Sequence, residues 1–448
     1  MISFNFLKSP AHRKIFAIAL PMVLSNISAP LLGLVDTAVI GHLPESYYLA
    51  GVALGSMIIS LLFWILVFLR MSTTGLVAQA YGESNAQKTQ QLLVQSVLIA
   101  LTLACILIVL QTPISMIAFH FVEGSEQVLQ SAHQYFDIRI WSAPAALTNM
   151  VLLGWMLGMQ NAKGPMFILI ITNVTNILLS LLFVVLLNWG VSGVALASLI
   201  SSYVALAFGL CFITRMLKSM NQQFQFKVLL KAALRLVAFK RFIGLNRDIF
   251  IRSLCLQVTF AFMTTQGAKL GDDVISANAV LMNFVLLSSF LMDGLAHAAE
   301  ALVGKNLGRR SLKNLKESIN LILFWASVIS VFQLTFFYFL GPWIIDQITT
   351  IKSVRIEAAR YLPWLMIVPI TSMLGYVFDG IFIGMTRAKD MRNSMIFSLC
   401  VVYFPVWFIF ADMGNDALWI AMNALLLSRG LSLLWIYRKL DREHKLIV

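Results

Sequence analysis

LILFWASVISVFQLTFFYFL, residues 321–340, carries no charged side chain, no proline and no glycine. Its apolar residues follow one another without the alternation of a half-buried strand, so the stretch reads as a helix. About 20 mostly apolar residues are what a helix needs to cross about 30 Å of hydrocarbon. Comparable runs occur at 58–69, 92–110 and 168–187. Hydrocarbon offers the backbone no hydrogen-bond partner, so only helices or closed barrels span it. Barrel strands alternate in polarity and these runs do not, which excludes a barrel. The whole chain agrees: of 448 residues, 59% are hydrophobic and only 12% charged. A soluble domain carries about twice that share of charge.

Twelve spans are expected, near 13–40, 50–77, 90–112, 130–158, 165–187, 193–215, 247–268, 275–302, 317–340, 357–384, 393–411 and 416–437. The net charge is +13, which raises the question of nucleic acid. The placement of the charge answers it. Lys8, Arg13 and Lys14 precede the first span; Lys88 and Lys163 lie in short connections. Arg215, Lys218, Lys227, Lys231, Arg235, Lys240, Arg241, Arg247 and Arg252 cluster in the middle of the chain. Lys305 to Lys316, Arg387 to Arg392 and Arg438 to Lys445 complete the set. The alternate connections hold only Lys269, Lys352, Arg355 and Arg360. This is the positive-inside pattern of an inner-membrane protein with both termini cytoplasmic, and it leaves no basic surface for nucleic acid.

Cys105, Cys211, Cys255 and Cys400 lie inside apolar runs without paired spacing, so they indicate neither disulfides nor zinc. The first apolar stretch is too long for a signal-peptide core and lacks a small-residue cleavage site, so it reads as a mature span.

The basic connection around 218–242 divides the chain into an amino lobe (1–215), a cytoplasmic linker (216–246) and a carboxyl lobe (247–448). The two lobes look related. Gly-Met-Gln-Asn-Ala-Lys at 158–163 recurs as Gly-Met-Thr-Arg-Ala-Lys at 384–389, a shift of 226. The same shift, ungapped, superposes Leu76-Val77 on Leu302-Val303, Gly82 on Gly308, Gly41 on Gly267 and Ala195 on Ala421. Six spans per half start both halves on the same side of the membrane. The expected fold is therefore all-α, with twelve transmembrane helices in two parallel six-helix bundles related by a pseudo-two-fold along the membrane normal.

An ionisable side chain at the bilayer centre costs about 2.5–3.5 kcal/mol on insertion scales and marks function by default. Asp36 is such a residue. Ser25, Ala29, Gly33 and Asp36 share one face of the first helix, and Pro21 and Pro30 favour a bend in it. Asn173, Asn176 and Ser180 share a face of the fifth span, with Ser198 on the sixth at similar depth. Amides and hydroxyls there can hold a carboxylate in either protonation state, or serve only as helix–helix contacts. In the second half Asp293, His297 and Glu300 share a face of the eighth span, and Asp379 lies in the tenth. No further His stands near them in sequence, so no metal site is expected. The 226 shift sets Arg70 at the level of Ala296. Arg70, Asp293, Glu300 and Asp379 are accordingly candidates for a second site or a gate, with Arg70 pairing to the Asp293/Glu300 face and sealing the cytoplasmic side.

Ala19-Leu-Pro-Met, the segment LVDTAVIGH at 34–42, RMSTTG at 70–75 and the Gly-Met-x-x-Ala-Lys pair resemble the MATE (multidrug and toxic compound extrusion) family, in its DinF-type branch. The resemblance covers essentially the whole chain. It implies a monomeric antiporter in the inner membrane, without cofactor. Such a transporter exports organic cations or other small amphipathic xenobiotics in exchange for H⁺, with Na⁺ as the alternative. It implies that Asp36 is the coupling carboxylate, with Asn176, Ser180 and Ser198 around it. Some relatives carry a second acidic residue in the fifth helix, where this chain has Ser180. Fewer charged oxygens suit Na⁺ less well and favour H⁺. A lipid-linked-precursor flippase shares the 6+6 plan but needs a cationic cavity, for which only Arg70, Arg139 and Arg429 stand at depth. An intramembrane hydrolase using Asp36 and Asp379 is the reading from another class, but the Gly-x-Gly-Asp motif of such enzymes is absent.

The charge pattern can be tested directly. With the native cysteines replaced, Ser125→Cys and Thr350→Cys label with an impermeant thiol reagent from outside and Gln223→Cys does not; the opposite labelling overturns the topology. Arg70→Glu impairs transport in a chain that still inserts, and adding Asp293→Arg restores part of it. A double variant no better than either single one removes the proposed gate.

Overall fold

The computed structural model describes residues 9–40, 46–120, 125–219, 229, 231 and 236–447, with side chains at all of these except 29–40, 46 and 236–242. Among the described residues there is no strand. The helices are α1 (Ala11–Ile40), α2 (Ser46–Ile65), α3 (Phe68–Gly82), α4 (Ala86–Val109), α5 (Gln111–His120), α6 (Glu126–Arg139), α7 (Ala143–Gly158), α8 (Lys163–Ser180) and α9 (Gly190–Ser219). They continue as α10 (Leu236–Lys269), α11 (Asp272–Gly308), α12 (Leu312–Ile348), α13 (Lys352–Gly384), α14 (Ala388–Phe397), α15 (Phe404–Ile409) and α16 (Asn415–Arg442). Single π-helical segments, Leu181–Leu186 and Ser398–Tyr403, extend α8 and α14. Among the described residues ten helical stretches are long and apolar enough to cross a membrane, several built from two consecutive helices. With α1 and α10 they make the twelve expected spans. Side chains such as Phe339 (71% exposed) and Phe408 (77%) point outward from these helices, as a lipid-facing surface requires.

The chain forms two compact units, Leu24–Tyr81 with Asn85–Phe242, and Ile243–Val448 with Met1–Val23 and Gly82–Ser84. The first half of α1 thus packs in the second unit, although sequence order assigns 1–215 to the amino lobe. The reason is local. Gly294 of α11 has no side chain to hold off Ala19 and Val23. In addition, Ser9 bonds Glu317 at 2.5 Å and the Trp325 indole donates to His12 at 2.9 Å.

Within each unit the helices pair in the same order. In the first, α2 packs on α6, α4 on α7, and α9 on α6, α7 and α8; in the second, α11 and α12 pack on α13, and α16 on α13 and α14. The backbone repeats in finer detail. Six of the nine positive-φ residues among those described fall in pairs 226 apart: Ser84 and Arg310 (φ 56° and 54°), Gln160 and Thr386 (65° and 55°), Asn188 and Gly414 (55° and 63°). So do the N-caps of α4 and α12, Asn85 (φ −96°, ψ 88°) and Ser311 (φ −103°, ψ 91°).

A close-packed seam repeats too. Gly154 and Gly158 of α7, spaced as Gly-x-x-x-Gly, press on the carbonyls of Arg70 and Thr74; Gly380 and Gly384 of α13 press on those of Ala296 and Glu300. A Cβ at Gly158 would lie 2.9 Å from the Thr74 oxygen, and one at Gly384 2.8 Å from that of Glu300. Small residues at this spacing let helix backbones meet where lipid supplies no hydrophobic drive. Gly158→Ala and Gly384→Ala should each lower stability by about 1–3 kcal/mol through overpacking. Gly244→Ala, whose Cβ meets nothing within 4 Å, should not. Thermal unfolding in detergent checks this, and a loss at Gly244 equal to the other two would refute the seam.

Candidate functional site

In the first unit the polar face foreseen on the fifth span is assembled against α1 and α9. The Asn173 amide donates to Ser28 Oγ at 2.8 Å, and Ser28 Oγ donates to the Ser25 carbonyl at 2.6 Å. Asn176, buried, donates to Ser198 Oγ at 2.8 Å and accepts from Ser180 at 3.4 Å. Ser25 Oγ is buried without a partner among the described residues. Serine and asparagine at i, i+3, i+7 share one face of the helix because of the helical period, here turned to the α1 and α9 side chains they bond, and a buried donor is costly unless it finds an acceptor. The π-helical segment begins directly after Ser180, and such bulges recur at functional sites. Pro21 is half-buried in α1. Asp36 and Pro30 lie on the same helix, but their side chains, like residue Gly41 altogether, are outside what is described.

The second unit holds charge. Asp379 of α13 accepts from Arg252 of α10 and pairs through the same oxygen with Arg429 of α16, the latter at 3.2 Å. Arg252, Asp379 and Arg429 are 8%, 5% and 3% exposed. Gly375, one turn before Asp379, makes room for the Arg429 guanidinium, which also lies 5.7 Å from the centre of the Tyr376 ring. One turn before Arg252 on α10, Asp248 bonds Arg392 at 2.7 Å and Arg247 at 3.3 Å. His297 and Glu300, both buried, are 3.5 Å apart.

The candidates therefore divide. Within one unit Asn176, Ser180 and Ser198 are joined by hydrogen bonds, and Asn173 bonds Ser28 separately. Asp379 of the tenth span joins two arginines, whereas Glu300 of the eighth faces His297. Arg70 belongs to the first unit, Asp293 and Glu300 to the second. Among the described residues no group of three or more His, Cys, Asp or Glu is arranged to hold a metal. The sequence reading missed Arg252, which it counted with the cytoplasmic basic residues. The usable signal was its place inside the span 247–268, four residues after Asp248 on the same helical face.

A family model described as MatE matches the chain twice, at residues 21–182 and 249–409, once in each half. The chain is 42% identical to DNA damage-inducible protein F of Escherichia coli (strain K12) over 98% of this chain and 94% of that protein. It is 25% identical to the probable multidrug resistance protein NorM of Bacillus cereus over 90% of this chain and 89% of that one. Among solved structures, a MATE in the straight conformation superposes with a TM-score of 0.87 at 18% identity, covering 98% of both chains. An outward-facing multidrug resistance MATE family transporter gives 0.82 at 19%, again over 98% of both. These structural likenesses show the fold.

Proposed function

The chain belongs to the MATE family of multidrug efflux transporters, and on that premise we propose that it exports organic cations and other amphipathic xenobiotics in exchange for H⁺, by alternating access. It is a multi-pass membrane protein and a transporter rather than an enzyme. In the proposal both termini face the cytoplasm, the two six-span halves of the chain are joined by the 216–246 linker, and no cofactor takes part.

The observation that carries the reading is the polar seam of the first unit. Ser28 is tied to Asn173. The first and fifth spans run in the same direction, Asp36 stands eight residues beyond Ser28, and Ser180 seven beyond Asn173. At 1.5 Å per residue these are advances of about 12 and 10 Å, so the backbones of Asp36 and Ser180 come to the same depth. At that level of the first unit stand the hydroxyls of Ser180 and Ser198 and the amide of Asn176. Ionised, Asp36 attracts an organic cation at a desolvation cost; protonated, it is neutral and can donate a hydrogen bond to the amides. Proton and substrate then compete for one group, which makes exchange obligatory. Pro21 and Pro30 let α1 bend differently in the two states. Inward movement of one charge supplies about 2.3 kcal/mol per 100 mV. Coupling to Na⁺ is the second reading, disfavoured because Ser180 brings no negative oxygen.

Counterflow in proteoliposomes, driven by a pH jump and separately by a Na⁺ jump, tests the coupling ion. Asp36→Asn should insert normally yet lose both drug export and drug-induced proton release. Asn176→Ala should keep the carboxylate and exchange more slowly. Wild-type exchange by Asp36→Asn, with an unchanged pH profile, would remove Asp36 from the mechanism.

A further inference from the structure

Two guanidiniums share one carboxylate in the interior of the second unit, and the sharing is incomplete. Asp379 meets both arginines through a single oxygen, and its other oxygen, Oδ1, has no donor among the described residues. The Nε of Arg252 and the Nε of Arg429 are likewise buried without acceptors among those residues. We propose that Arg252 and Arg429 form an anion-recognition site, occupied at rest by Asp379, that takes the carboxylate, sulfonate or phosphate end of an amphipathic substrate. Its role in export rests on the transport reading above; its binding chemistry rests on the cluster alone.

Charge points this way first. Along this wall Asp379 answers two arginines, and Asp248, one turn away on α10, answers two others. In the described ion pairs each of these carboxylates faces two guanidiniums, and a buried charge left short of compensation is costly. A cation entering the cluster would face two guanidiniums and find one free carboxylate oxygen. An anion would find two buried N–H groups without acceptors.

Geometry points the same way. A guanidinium offers five donors in a plane that matches carboxylate and phosphate oxygens. Arg429 is fixed before any ligand arrives, lying along the bare backbone of Gly375 with Tyr376 beneath it. A pair whose task was only to join α10, α13 and α16 would gain from satisfying its donors, since a half-satisfied buried network stabilises poorly. Asp379 sits on a helix and offsets one of the two positive charges without filling the pair's donors, as a replaceable counter-ion would.

Fluorescein and rhodamine 123 share a xanthene frame and differ in sign of charge, so their binding to the full-length protein in neutral detergent, read by fluorescence polarisation, tests the site. Wild type should bind fluorescein, and Arg252→Gln or Arg429→Gln should weaken it by about tenfold or more, leaving rhodamine 123 unchanged. Asp379→Asn keeps the shape and removes the competing anion, so it should tighten fluorescein by about threefold or more. A misfolded protein cannot produce that gain. Competition by phosphatidylglycerol would identify a lipid headgroup as the natural source of the anion, and its absence a free solute. The proposal is overturned if wild type does not bind fluorescein, if the arginine variants weaken both dyes alike, or if Asp379→Asn weakens fluorescein. In proteoliposomes, a protein that binds with this pattern but pumps neither dye would defeat the export reading and leave the anion site standing.

Discussion

A bilayer core gives the backbone no partner for its N–H and C=O groups, and every other feature of this protein follows from that. Each crossing segment must be helical to satisfy itself, and lipid then provides no hydrophobic force to press one helix against the next. Contact has to come from close fit. The Gly-x-x-x-Gly pairs at Gly154/Gly158 and Gly380/Gly384 supply it, because a glycine lets the neighbouring carbonyls approach within van der Waals range of the helix axis. Larger side chains at these positions would hold α7 off α3, and α13 off α11, and would unseat everything those helices carry.

The same solvent makes polar side chains expensive, so their distribution separates the roles of the two halves. The backbone is duplicated down to its left-handed loop residues, yet the functional chemistry is not. At the positions 226 residues before Arg252, Asp379 and Arg429 the first half has Asn26, Leu153 and Tyr203. Conversely, Asn173, Asn176 and Ser180 correspond to Leu399, Val402 and Val406. One unit therefore carries a neutral seam of amides and hydroxyls beside the helix of Asp36, and the other a buried cluster of guanidiniums and carboxylate. A neutral seam tolerates a change of protonation nearby at little cost. A charged cluster fixes its own electrostatics and selects by the sign of what approaches. Duplication supplied a common frame, and divergence at a few lipid-shielded positions gave each copy its own chemistry.

How much of this was legible beforehand depends on whether the property is local. Spans such as 321–340 were readable because crossing hydrocarbon is decided by the composition of one segment. The repeat was readable because its ungapped 226 shift survives in loop residues with few alternatives, such as the Gly-Met-x-x-Ala-Lys turns. Asn173, Asn176 and Ser180 could be assigned to one face because helical periodicity alone fixes that.

What required the tertiary structure was every meeting of helices distant in sequence. Arg252 and Asp379 are 127 residues apart, and no periodicity within α10 or α13 reveals that they touch. Sequence made Arg252 one more basic residue near a cytoplasmic connection; packing turned its helix so that the guanidinium faces inward. The first half of α1 was likewise assigned by chain order to the amino lobe, and the bare backbone of Gly294 draws it into the other unit. The sequence by itself thus determined that the chain spans the membrane twelve times, repeats, and carries costly polar residues. Which of those residues neutralise one another was decided only by how the helices pack, because a side chain's charge is encoded in the residue but its partner is set by the rotation and approach of a neighbouring helix.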